Sequence, residues 1–124
     1  EASELQLGNL EARRDWGHSK DYVRAMWMML QPDTPKDYVC STGISHSVRD
    51  VCDHVFSKLG MDYKNHVVVT EKYLRPEELN DLKGDSSILR EELGWEPDYT
   101  FESMLDEMVL STKKYYNIEG INTV

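Results

Sequence analysis

Positive charge is what this 124-residue chain lacks most: 14 Lys and Arg stand against 23 Asp and Glu, a formal net charge of −9. Binding DNA or RNA through counterion release needs the opposite sign, so nucleic acid is excluded as a general partner. The same acidity gives no attraction to an anionic membrane surface, and no apolar run approaches the roughly 20 residues that span a bilayer. No charged-then-apolar leader with a small-residue cleavage site opens the sequence, so nothing marks it for secretion. Cysteine is scarce. Cys40 and Cys52 are the only two; they lie in apolar patterns outside any CxxC pair, which predicts buried free thiols in a reducing, cytoplasmic compartment.

Several catalytic signatures are missing as well. None of the seven glycines is followed by another two positions on, so the G-x-G-x-x-G turn that cradles a dinucleotide is absent. No tyrosine has a lysine four residues later, which removes a Tyr-x-x-x-Lys proton-transfer pair on one helical face. Ser45 in "GISHS" is not in a G-x-S-x-G elbow; Ser45 and Ser47 read as turn and cap residues. His18, His46, His54 and His66 are scattered rather than clustered as metal ligands, so no metal site is expected.

What is present is helical periodicity. Val23, Met26, Trp27 and Leu30 recur at i, i+3, i+4 and i+7, with Ser19 placed to cap and Pro32 just beyond, predicting a helix over 20–30 whose apolar stripe packs inward. Val48, Val51, Cys52, Val55, Phe56 and Leu59 repeat the pattern between Ser47, with Asp50 three residues on, and Gly60. Phe101, Met104, Leu105, Met108 and Thr112 mark a helix after Thr100, and "SSILREEL" a shorter one ending at Gly94. The β-branched runs "DYVCST" (37–42) and "HVVVT" (66–70) read as strands, with "LQLGNL" as the candidate for a third. This is an α/β pattern with few short strands for about four helices, which suggests that a larger sheet lies elsewhere.

Arginine is the remaining clue. Arg13 and Arg14 sit side by side, and Pro76 holds Arg75 extended in "YLRPEEL". Two readings stand open from spacing alone. Guanidinium forks concentrated at a few loop positions suit phosphate oxygens, whereas ion pairs with nearby carboxylates such as Asp15 or Glu78 would be ordinary surface chemistry.

Three longer strings carry a resemblance. "LGNLEARRDWGHSKDYVRAMWMMLQ", "YVCSTGISHSVRDVCDHVFSKLG" and "KYLRPEELNDLKGDSSILREELGWEPDYTFESMLDEMV", in that order, resemble the carboxy-terminal portion of the GDP-mannose 4,6-dehydratases, which are extended short-chain dehydrogenases/reductases. The similarity covers about residues 5–110. It implies the substrate-binding lobe of an α/β enzyme over residues 1–112, with 113–124 as a tail and the Rossmann domain absent. The family oxidises C4 of GDP-mannose with NADP, eliminates water across C5 and C6, and returns the hydride to C6. Its cofactor glycines and its catalytic Thr, Glu, Tyr and Lys belong to the other part of the chain, so the segment alone is expected to be inactive.

Carried over by motif, the resemblance implies that Arg14 and Arg75 clamp the diphosphate of GDP. It implies further that Glu78 contacts the nucleoside and that Tyr73 lines the same pocket. Leu74 departs from the aromatic residue of the family pattern. GDP-mannose or GDP, the amino-terminal Rossmann domain and further copies in a homo-oligomer are the implied partners, and NADP the implied cofactor, held mainly by that missing domain. A lobe of another nucleotide-sugar epimerase or reductase, or a stand-alone nucleotide-binding or interaction module, are the alternatives.

Overall fold

A computed structural model describes residues 3–118. Four helices dominate: α1 (Ser19–Met29), α2 (Val48–Lys58), α3 (Ser87–Leu93) and α4 (Phe101–Tyr115). Five strands of two or three residues accompany them: β1 (Leu5–Leu7), β2 (Arg13–Asp15), β3 (Ser45–Ser47), β4 (Val67–Val69) and β5 (Asp81–Leu82). β1 and β4 form a parallel pair. In the second sheet β2 is central, antiparallel to β3 with Arg14 opposite His46, and parallel to β5 with Arg14 opposite Leu82.

The helix boundaries follow the caps. The Ser47 hydroxyl accepts the Asp50 N–H while the Asp50 carboxylate accepts the Ser47 N–H, and Thr100 and Ser103 repeat that reciprocal arrangement at α4. The bond from the Ser47 N–H holds the Asp50 carboxyl below its usual range. Gly94, at φ 69°, ends α3 in the left-handed region that a side chain disfavours. At α1 the cap is His18 rather than Ser19: the His18 Nδ1 accepts the Lys20 N–H at 3.0 Å. Residues 119–124 of the expected tail lie outside the described residues.

Three small clusters make the interior. Leu10, Cys52 and Tyr63 pack with Leu7, Val48, Phe56 and Val67 beneath the β1–β4 pair. Ala25, Leu89 and Trp95 pack with Tyr22, Met28, Met29 and Cys40 between α1 and α3. Phe101, Met104 and Leu105 meet Trp16, Val51 and Val55 where α4 crosses α2. Both thiols are unbridged, and burial pushes each above its ordinary range.

Two expectations fail. The predicted stripe of α1 faces outward: Val23 is 62%, Met26 60%, Trp27 63% and Leu30 80% exposed. The helix instead buries the side bearing Asp21 and Ala25, where Asp21, 2% exposed, accepts the N–H groups of Asp98 and Tyr99. Its own carbonyl accepts the Trp95 indole N–H. Periodicity finds an apolar stripe without saying which body covers it. The segment 37–42 forms no strand: residues 84–86 pass beside it, but no backbone ladder pairs with it among the described residues.

Candidate functional site

The site grows from β2. Arg14 projects from the central strand towards the segment that follows Tyr73. Its Nη1 donates to the carbonyl oxygens of Arg13 at 2.7 Å and Leu79 at 2.8 Å, and its Nη2 lies 3.3 Å from the Glu78 Oε1. The arginine and the carboxylate are both partly buried. A guanidinium has five N–H donors; among the described residues the Nε–H and one Nη2–H of Arg14 meet no acceptor. Those two donors are left without a partner among the described residues.

The structure therefore joins two of the four expected site residues, Arg14 and Glu78, and does so as an ion pair. Tyr73 and Arg75 are placed differently. Tyr73 closes a single 3-10 turn, Glu71–Tyr73, and its carbonyl oxygen would stand 2.3 Å from a Cβ added at Gly8. Only glycine lets β1 approach the turn that leads into Arg75. Arg75 is exposed, and no hydrogen bond or ion pair links it to Arg14 or Glu78 among the described residues.

Asp15, next to Arg14, is the residue the sequence reading undervalued. Its carboxylate accepts the Thr42 N–H and hydroxyl at 2.9 and 2.6 Å, the Gly43 N–H at 2.9 Å and the Gly84 N–H at 3.3 Å. Trp16 follows the strand and donates its indole N–H to the His46 carbonyl. Gly17 makes room for Tyr22, whose hydroxyl would stand 2.0 Å from a Cβ at position 17. The string "RDWG" is thus a set of packing and hydrogen-bonding requirements clustered around one arginine.

Two hollows flank the strand. One of about 570 Å³ is lined by Thr42, Gly43, Lys83, Gly84, Ser87 and Arg90; another of about 340 Å³ by Trp16, Ile44, His46, Tyr99 and Phe101 among others. Neither includes Arg14, Tyr73, Arg75 or Glu78. Arg90 is committed by bonds to the Thr42 carbonyl and the Ser86 hydroxyl. Among the described residues no three His, Cys, Asp or Glu side chains converge as metal ligands, and no helix is long and apolar enough to cross a membrane.

The family model for GDP-mannose 4,6 dehydratase matches residues 1–108. The chain belongs to this family. GDP-mannose 4,6 dehydratase 1 of Arabidopsis thaliana is 47% identical over 107 residues, covering 86% of this chain and 30% of the plant protein. The Homo sapiens GDP-mannose 4,6 dehydratase is 42% identical over 122 residues, covering 85% of this chain and 33% of its own length. The chain thus spans about a third of the curated relatives it matches, in their carboxy-terminal part.

Solved structures agree on the fold. RMD from Pseudomonas aeruginosa, complexed with NADPH, superposes with a TM-score of 0.81 at 18% identity, over 93% of this chain and 37% of that one. The dTDP-glucose 4,6-dehydratase of Bacillus anthracis, in complex with NAD, gives 0.81 at 23% identity, over 94% and 36%. The expected α/β fold, with few short strands packed with four helices, is the one these structures share with the chain.

Proposed function

We propose that this chain is the substrate-binding part of a GDP-mannose 4,6-dehydratase, which converts GDP-mannose to GDP-4-dehydro-6-deoxymannose and water. Arg14 and Arg75 hold the diphosphate, Glu78 meets the nucleoside, and Tyr73 lines the same pocket. The observation that carries the reading is the Arg14–Glu78 pair within a family match over residues 1–108. It sets a cation with two unused donors beside an anion on an exposed segment. Phosphate oxygens suit those donors. Arg75 swings in from the exposed segment when ligand arrives.

The remainder of the enzyme supplies NADP and the catalytic groups, and it covers the outward stripe of α1. An exposed row of Val23, Met26, Trp27 and Leu30, together with a β-branched segment at 37–42 that has no ladder partner among the described residues, is the pattern of a helix and strand whose sheet lies elsewhere. The complete enzyme works in the cytoplasm as a homo-oligomer.

Calorimetric titration of the 124-residue chain tests the nucleotide site. GDP binds, UDP binds more weakly, and Arg14→Ala or Arg75→Ala weakens GDP about tenfold or more, since a hydrogen bond to a charged group contributes about 1.5–3 kcal/mol. GDP binding that neither substitution changes removes the assignment of these arginines.

A further inference from the structure

We infer that Asp15 is a positioning residue for the nucleotide site, setting the place of Arg14 and through it the Arg14–Glu78 pair. The inference rests on the reading of that pair as part of the site. Residues 71–81 are exposed except for Glu78, so little apolar burial fixes the segment that faces Arg14. The β2–β5 ladder is only two residue pairs long, too short to hold its own register. Polar ties must do this.

Near Arg14 those ties converge on β2. The Arg13 N–H donates to the Asn80 carbonyl at 2.8 Å, just before β5. Beyond the other end of β5, the Gly84 N–H donates to the Asp15 Oδ2. The same carboxylate closes on Thr42 and Gly43, so one side chain gathers β2, the 42–43 turn and the exit of β5 through four bonds. Bonds to an ionised acceptor are about twice as strong as neutral ones and fix direction. Each contact partner is held closely. Gly43 stands at φ 81°, and a Cβ at Gly84 would meet the Ser41 Cβ at 2.4 Å. With Asp15 in place, the strand cannot slide relative to residues 78–82, and Arg14 keeps the Leu79 carbonyl and Glu78 in reach.

The distinguishing readout is coupling. Asp15→Asn should weaken GDP binding about tenfold in the wild-type background and less than about twofold when Arg14 is already alanine, because a residue acting through Arg14 has nothing left to position. An equal loss in both backgrounds overturns the inference. A second readout needs no ligand: amide exchange at Arg13, bonded across the ladder, should rise at least about tenfold in Asp15→Asn while Val55 in α2 stays unchanged. Equal acceleration at both sites, or none at Arg13, also overturns it. Should wild type bind no GDP, the functional reading fails while the exchange comparison still decides the role of Asp15. If Asp15→Asn does not fold, Thr42→Val removes the hydroxyl bond to Asp15, together with the same hydroxyl's contacts to the Ile44 backbone, while leaving the three backbone N–H bonds to the carboxylate, and should shift both readouts the same way, by a smaller factor.

Discussion

α1 and α2 are both eleven residues long and both carry an apolar stripe, yet they use it in opposite ways. In α2 the stripe is divided between two clusters: Val48, Cys52 and Phe56 pack with Leu10, and Val51 and Val55 meet Leu105 of α4. In α1 the stripe is the outer surface, and the inner side buries Asp21 and Ala25 and packs Tyr22, Met28 and Met29 against Leu89 and Trp95. One helix turns its stripe into the interior of this chain; the other packs its opposite side against α3 and Trp95, adds hydrogen bonds there, and leaves the stripe outward. A stripe records that a face is apolar, not what covers it, and no described residue covers the stripe of α1.

The same substitution in the two settings separates them. Leu105→Ala opens a cavity beneath α2 and should cost about 2–5 kcal/mol in urea unfolding. Leu30→Ala, at the exposed end of α1, should stay within about 0.5 kcal/mol. Comparable losses would mean that the α1 stripe is covered within the chain.

A smaller effect sharpens how α1 is fastened. Lys20 donates to Glu107 of α4 at 2.8 Å, and this bond, with the Tyr99 hydroxyl nearby, lowers the Glu107 carboxyl to about 2 from its ordinary 4.5. A depressed carboxyl contributes stability that is full above about 4.5 and disappears as pH falls through about 2. Wild type should therefore lose part of its stability across that window, and Glu107→Gln should flatten this part of the profile in thermal melts. The contribution is small because both side chains are solvent-accessible. An unchanged acid limb in Glu107→Gln would remove this tie from the account.

These elements also show where sequence is legible. The α2 and α4 boundaries could be read because Ser47 with Asp50 and Thr100 with Ser103 are local chemical devices, complete within four residues. β1 and β4 were visible in their apolar composition. β2, β3 and β5 were not, since "RRD", "SHS" and "DL" have no strand character and pair only because distant segments arrive beside them. His18 displaced Ser19 as the cap of α1 because an imidazole nitrogen can accept as well as a hydroxyl. At the site, spacing left phosphate fork and ion pair as rival readings of the arginines. The structure gives Arg14 its ion pair with Glu78 and leaves it two donors for more. Asp15 had no local signature: its four donors come from residues 27 to 69 positions away.

We propose that the outward stripe of α1 and the unpaired segment 37–42 form a docking side, whereas the stripe of α2 is spent inside the chain. Site-resolved hydrogen exchange on the isolated chain tests it most directly. Val39 and Cys40 should exchange at nearly unprotected rates while Val55 and Phe56 are slowed by orders of magnitude, close to the global unfolding limit. Protection at Val39 and Cys40 equal to that of α2 would contradict the account, because it would show a ladder already formed within these 124 residues.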